Sequence, residues 1–329
     1  MHQITVLIPT YNRKERLIRT LNALENQTDG RFYVVISDNA SNYNIDEVLI
    51  GRTKAFNERI SIYKRKQNVG ADANIVNLFT FCTTKWAWFL ADDDFVLPNA
   101  ITIINTQIES MPNIGAFNFS IVNFSELFIN KKEFRSAEEL IDFYYPSKSK
   151  WHGDLIFLSN KVFNTEILQD CISYMYKYNY TRISTVVLIL KMLENKIPYC
   201  TINEKIVNYN DKEEISWNIC EVVLASRTFT DIEFSFNKYY WKHMLTIVSF
   251  NISLVYKVYF NQSSNNYNKI FLDQIYHGLY KYFLPFSSKI IIKAISNIVK
   301  SKIGFVIIKN LYNFLRGTKS LLTKKAVLK

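Results

Sequence analysis

"ITVLIPTYNRKERLIRTLNALENQ" (residues 4–27) decides the architecture. Its first five residues, apolar except for Thr5 and closed by Pro9, suit a buried strand. "RKERLIRTLNALENQ" (13–27) then places Leu17, Ile18, Leu21, Ala23 and Leu24 on one helical face. The same pair recurs three times. "RFYVVIS" (31–37) precedes a short helix in "NIDEVLIGR" (44–52), and "ISIYKR" (60–65) precedes one in "GADANIVNLFTFC" (70–82). "KWAWFLA" (85–91) precedes another in "NAITIINTQIES" (99–110). Strands alternating with helices at this spacing build a mostly parallel sheet, so the chain reads as α/β. "GAFNFSIVNF" (115–124) continues the sheet, and helices are expected at 136–144, 164–177 and 182–195.

The chain has 329 residues, enough for a sizeable core, with 24 phenylalanines, 21 tyrosines and only eight glycines and six prolines. That excludes collagen-like and disordered classes. Cys82, Cys171, Cys200 and Cys220 are far apart with no CxxC pair, which argues against a zinc knuckle or disulfide framework and fits a reducing compartment. The apolar part of the N-terminus is too short for a signal peptide, and no stretch reaches the ~18 apolar residues of a membrane span.

Charge divides the chain. Between Trp241 and Lys329 there are fourteen basic residues against one acid, Asp273, whereas the rest is close to neutral. The strand–helix alternation also stops there, which sets a boundary near residue 240. A cationic tail points to a polyanionic partner. In "FSSKIIIKAISNIVK" (286–300), Lys289, Lys293 and Lys300 recur at helical spacing among isoleucines. That pattern suits a helix on an anionic membrane surface, each lysine contributing about 1 kcal/mol. The plainer alternative is a helix covering the rest of the chain. Nucleic acid is not expected as a partner, since no recognition signature is visible.

In an open parallel sheet, ligands bind beyond the carboxyl ends of the strands. Four polar loops leave that edge: "PTYNR" (9–13), "SDNAS" (37–41), "KQNVGADAN" (66–74) and "DDD" (92–94). Three adjacent carboxylates repel one another unless a cation sits among them. Hard divalent ions, Mg²⁺ or Mn²⁺, take carboxylate oxygens together with substrate phosphates. A solvated acidic turn before the helix near Pro98 and Asn99 is the alternative.

"VLIPTYNR", "SDNAS", "NVG" and "FLADDD", in this order and at these separations, resemble the nucleotide-binding half of a family 2 glycosyltransferase. The resemblance covers about residues 3–120. It implies a GT-A fold: a mostly parallel, Rossmann-like sheet flanked by helices, here with a helical C-terminal extension. Residues 1–240 would be the transferase domain, with 1–120 binding the nucleotide-sugar and 121–240 forming the acceptor side; 241–329 would be the basic extension.

The resemblance also implies roles. Pro9, Thr10 and Tyr11 would line the nucleotide, Asp38 would accept a hydrogen bond from the base, and Asn68 and Gly70 would let the backbone pass close to the nucleoside. Asp92 and Asp94 would meet ribose and metal-bound diphosphate, with Asp93 among the donor-binding residues and Asp94 the first choice for direct coordination of Mn²⁺ or Mg²⁺. "WHGDLIFLSNKVFN" (151–164) is similar to an acceptor-side segment of O-antigen sugar transferases, particularly the abequosyltransferase-like branch. An inverting enzyme needs a general base. No acid lies between Asp170 and Glu194 where many family members carry an acidic pair. Asp154 is therefore the first candidate, followed by Glu213 and Glu214, with His152 behind them. The implied activity is metal-dependent, inverting transfer of a sugar from a nucleotide-diphosphate donor to a glycan, expected on a lipid-linked surface polysaccharide at the cytoplasmic face of the membrane.

Two other readings compete. "FLADDDFV" also fits the aspartyl nucleophile of a haloacid-dehalogenase-like phosphatase, but that nucleophile follows the first core strand and here three strand–helix pairs come first. A membrane-associated scaffold with a transferase-like body and no turnover is the other.

Overall fold

The computed structural model describes residues 4–121, 131–144, 153–208 and 231–235, all within one compact unit. The basic extension, Glu213 and Glu214 lie outside the described residues, as do His152 and the side chain of Asp154.

The first four strand–helix pairs form as their sequences dictate. Strand β1 (Ile4–Thr10) is buried almost throughout and is followed by α1 (Lys14–Glu25), which buries Leu17, Leu21 and Leu24. β2 (Phe32–Asp38) leads to a 3₁₀ turn at Ile45–Leu49 and a short α2 (Lys54–Asn57). β3 (Ile60–Lys64) leads to α3 (Ala71–Asn77), and β4 (Trp86–Phe89), with the two-residue β5 (Phe95–Val96), to α4 (Ala100–Ser110). The second half supplies β6 (Ala116–Ser120), β7 (Lys132–Phe134), α5 (Ala137–Tyr144), α6 (Gly153–Ile156) and β8 (Lys161–Asn164). It closes with α7 (Ile172–Lys177), α8 (Ser184–Glu194), β9 (Tyr199–Lys205) and β10 (Val207–Asn208).

Eight strands form one sheet in the order β3-β2-β1-β4-β8-β6-β9-β7. β3, β2, β1 and β4 are mutually parallel, as are β6 and β9; β8 and β7 run antiparallel to their neighbours. The expected parallel sheet is present, with an antiparallel strand at its centre. The expected helix over 164–177 is correspondingly shorter. Asn164 belongs to β8, and its side chain accepts from the Ile167 amide at 3.2 Å, starting a series of turns before α7.

Side chains alternate across each strand. Trp86 and Trp88 face a core built with Val6, Ile8, Val34 and Ile36 against α1 and α4. Phe89 turns to the other face and meets Phe79 and Phe163 edge-on at 4.8 and 6.0 Å. On a fully buried helix such as α8, Val186 to Leu190 each contribute about 1.5–3 kcal/mol. α8 also anchors residues 231–235. Lys191 donates to the Glu233 carbonyl and lies 4.7 Å from the Phe234 ring centroid, while Ser235 bonds Glu194 through its hydroxyl at 2.7 Å.

The chain builds outward from β1 through β2 to β3, then returns to place β4 on the other side of β1. Such a reversal separates the loops following the two central strands and leaves a crevice between them. The loop after β1 and the loop after β4 carry Thr10–Arg13 and Asp92–Asp94.

Candidate active site

Parallel register brings the site together. Thr10 pairs with Asp38 at the carboxyl ends of β1 and β2, and Leu7 pairs with Phe89, three residues before Asp92. The Leu90 amide donates to the Leu7 carbonyl at 3.0 Å, holding the acid loop against β1.

The three acids have separate surroundings. Asp92 is 2% exposed; it accepts from the Thr10 hydroxyl at 2.7 Å on one oxygen and from Arg13 Nη1 at 2.6 Å on the other. Burial pushes its carboxyl above the ordinary carboxylate range, while the Arg13 charge and the Thr10 hydrogen bond oppose that rise. Burial would lower the Arg13 guanidinium, but Asp92 and Asp93 outweigh it and raise it.

Asp93 turns back to helix α1. Its carboxylate meets Arg13 at 3.1 Å and Arg16 at 3.3 Å, and its carbonyl accepts from Arg19 at 3.1 Å. Arg13 stands just before α1, and Arg16 and Arg19, three residues apart within it, lie on one face of the helix. Arg19 also lies 4.5 Å from the Phe95 ring centroid, and the Thr20 hydroxyl donates to the Asp92 carbonyl at 3.0 Å.

Asp94 is 4% exposed and is held from the opposite side of the crevice. The Ser159 hydroxyl donates to its Oδ2 at 2.5 Å and accepts from the Ala91 amide at 2.9 Å. Trp88 fixes Ser159 in turn, its indole donating to the Ser159 carbonyl at 2.8 Å.

A hard divalent ion needs only one or two protein carboxylates when a diphosphate completes its shell. Asp94, oriented by Ser159, fits that requirement. Asp92, the other carboxylate expected to meet the metal, has each oxygen on a protein donor, Thr10 or Arg13. Among the described residues, no three or more His, Cys, Asp or Glu side chains gather as a metal site.

On the β2 side of the crevice, Asp38 is buried and accepts from the Ser41 amide at 3.1 Å. Asn39 and Asn68 clasp each other's loops: Asn39 Nδ2 donates to Asn68 Oδ1 at 2.7 Å, and the Val69 amide donates to Asn39 Oδ1 at 3.0 Å. Gly70 has φ +85°, a conformation that itself calls for glycine, and a Cβ there would meet nothing within 4 Å, so the loop has open space above it. Tyr11 is 43% exposed at the same edge, Pro9 is half-buried, and Thr10 is buried. Burial raises the Tyr43 hydroxyl, and the nearby Asp38 and Asp92 charges push it the same way.

Pro9, Thr10, Tyr11, Asp38, Asn68, Gly70 and the three acids thus share one edge. Asp154 lies on α6, which packs against β6. Reading the sequence missed Arg13, Asn39, Tyr43 and Ser159. Arg13 had a visible signal, a cation in one polar loop facing three acids in another.

A protein-family model described as glycosyl transferase family 2 matches residues 5–171, just over half of the chain. The chain belongs to glycosyl transferase family 2. Among curated relatives, the abequosyltransferase RfbV of Salmonella typhimurium is 30% identical over 113 residues, 34% of this chain and 34% of that protein. An uncharacterized glycosyltransferase of Haemophilus influenzae is 30% identical over 113 residues, 34% of this chain and 36% of its own length. The matched region therefore spans about a third of each relative.

Among solved structures, S. aureus TarS residues 1–349 in complex with UDP-GlcNAc superposes with a TM-score of 0.63 at 13% identity, over 85% of this chain and 81% of that one. The mannosyltransferase PcManGT from Pyrobaculum calidifontis, solved with GDP-Man and Mn²⁺, gives 0.50 at 13% identity over 98% and 88%. These likenesses establish the GT-A fold of this family member. Family membership sets the dehalogenase-like alternative aside.

Proposed function

We propose that this family 2 member transfers a sugar from a nucleotide-diphosphate donor to a glycan acceptor, with inversion at the transferred carbon. The observation that carries the reading is the pair of buried carboxylates in the crevice between β1 and β4, Asp92 locked by Thr10 and Arg13 and Asp94 by Ser159. Buried carboxylates gathered at a ligand-binding edge mark a candidate functional site. The structural neighbours hold UDP-GlcNAc and GDP-Man, which supports the donor class.

Asp94 would hold Mn²⁺ or Mg²⁺, which when bound offsets the negative charge of the departing diphosphate. Ser159 fixes the Asp94 carboxylate through its hydrogen bond. Asp38 and the Asn39–Asn68 clasp shape the nucleoside end, and Tyr11 offers an exposed ring there. A base, Asp154 first and then Glu213 or Glu214, would take the proton from the acceptor hydroxyl as that oxygen attacks C1 and the bond from C1 to phosphate oxygen breaks. The abequosyltransferase relative supports an O-antigen or related surface polysaccharide intermediate as acceptor. The basic extension would dock the enzyme at the inner membrane face. Among the described residues, no helix is long and apolar enough to cross a membrane.

Thermal-shift measurements with UDP, GDP and CDP, each with and without Mn²⁺, test the proposal. Ligand at a hundred times its Kd stabilises the folded state by about 2.7 kcal/mol. One nucleotide should raise Tm only with the metal, and Asp94→Asn should lose that rise while keeping its own Tm. No response to any nucleotide, or an unchanged response in Asp94→Asn, would overturn it. Binding without transfer across a broad acceptor panel would favour the scaffold reading.

A further inference from the structure

The loops after β1 and β2 are fastened to each other. The Asn39 amide donates to the Thr10 carbonyl at 2.9 Å, the Asn12 amide to Ser41 Oγ at 2.8 Å, and the Asn42 amide to Asn12 Oδ1 at 2.8 Å. Two residues other than glycine take left-handed backbone here, Asn12 at φ +54° and Ala40 at φ +66°. Asn12 is eased by its side-chain bond to Asn42, whereas Ala40 has no side chain that could do the same. Strain of this kind persists where the surroundings over-determine it, and ligand clamps are common among such places.

Tyr43 stands at this clasp. Its ring is half-buried against the core, with Lys14 Nζ 6.0 Å from the ring centroid, so packing holds the hydroxyl in place. That hydroxyl is buried beside those of Thr10 and Ser41, yet among the described residues no hydrogen bond of ordinary geometry closes on it. A buried hydroxyl without a partner calls for an explanation. The direction of the neighbouring protons supplies one. Thr10 gives its only hydroxyl proton to Asp92, so Thr10 Oγ is left to accept. Ser41 Oγ accepts from the Asn12 amide and can donate its own proton. Tyr43 can therefore accept from Ser41 and donate to Thr10. The result is a one-way relay from Ser41 through Tyr43 and Thr10 to the Asp92 carboxylate, in which each bond polarises the next.

We infer that Tyr43 is a positioning residue for the donor site, its hydroxyl completing this relay as the two loops draw together on a nucleotide. The inference rests on the transferase reading above. Tyr43 makes no contact with the donor in this role, because its hydroxyl is buried. It acts through Thr10, holding that hydroxyl on Asp92 in the geometry the bound nucleotide meets.

Isothermal titration calorimetry of the full chain with UDP, GDP and CDP, each with Mn²⁺, tests this. Tyr43→Phe keeps the ring and removes one oxygen, so its Tm without nucleotide should equal or exceed that of the wild type. Its affinity for whichever nucleotide binds the wild type should fall about fivefold, consistent with one lost hydrogen bond. Ser41→Ala breaks the head of the relay and should weaken binding by a similar factor. Added to Tyr43→Phe, it should weaken binding by less than about a further twofold, because the relay is already broken. Unchanged affinity in Tyr43→Phe, a lowered Tm in that variant, or effects of the two replacements that multiply in full would each overturn the inference and leave the donor reading standing. A wild-type chain that binds none of the three nucleotides would overturn the donor reading itself, and the relay with it.

Discussion

Replacing Arg13 by methionine isolates the electrostatics of the acid loop. The variant keeps an apolar stem of similar length and removes the guanidinium 2.6 Å from Asp92 and 3.1 Å from Asp93. Removing one member of a buried ion pair costs about 3–5 kcal/mol, because the other charge stays desolvated. Asp92 is buried, but the Arg13 side chain is 26% exposed, so screening reduces the expected loss to about 2–3 kcal/mol. The loss should depend on pH. Burial already raises the Asp92 carboxyl and Arg13 opposes that rise, so Arg13→Met raises it further. A carboxyl raised in the folded state favours folding below its unfolded pKa, and this contribution disappears as pH rises through the folded pKa. Urea unfolding should therefore show the full deficit at pH 7.5 and a smaller one at pH 4.5. The double variant Arg13→Met with Asp92→Asn should recover most of it at pH 7.5. A deficit equal at both pH values and undiminished in the double variant would refute the assignment of Asp92 as a buried charge held by Arg13.

Gly115→Ala would place a Cβ 2.4 Å from Ile197 Cγ2 and 3.3 Å from the Pro198 carbonyl. It should cost about 1–3 kcal/mol in urea unfolding, with partial recovery when Ile197→Ala is added. Asp29, bonded by Arg31 and by Asn105, is held at about 2 rather than 3.8. A depressed carboxyl stabilises above its unfolded value and loses that effect as pH falls toward its folded one. Asp29→Asn should thus cost about 1 kcal/mol at neutral pH, discounted for the exposed Arg31, and the difference should vanish between about pH 4 and pH 2 in thermal unfolding.

The first half of the fold was legible because each of its strands is followed by a helix with its own apolar face, and the parallel register then fixes which loops meet. β8 was not legible. "KVFN" is only four residues long, and the next residues resemble the start of a helix. Its place at the centre of the sheet depends on pairing with β4 and β6, which no local pattern encodes. β9 was hidden for a related reason, since "YCTINEK" carries polar residues at its end and follows α8 after only a short turn. The acids and Thr10 could be read from the loops they occupy. Ser159 could not, because it approaches Asp94 from 65 residues away through the unseen β8. Residues 92–94 read as a run of repelling charges, whereas each acid has its own donors in the fold.

The clasp between α8 and residues 231–235 bears on how shortened versions of this protein should be cut. Ending the chain soon after Asn208 to discard the cationic extension would also strip Glu233, Phe234 and Ser235 from Lys191 and Glu194. A helix otherwise sealed from water would then present a lysine groove to solvent, and aggregation could be mistaken for a requirement for the extension. A cut placed beyond Ser235 keeps that seal and lets the two effects be told apart.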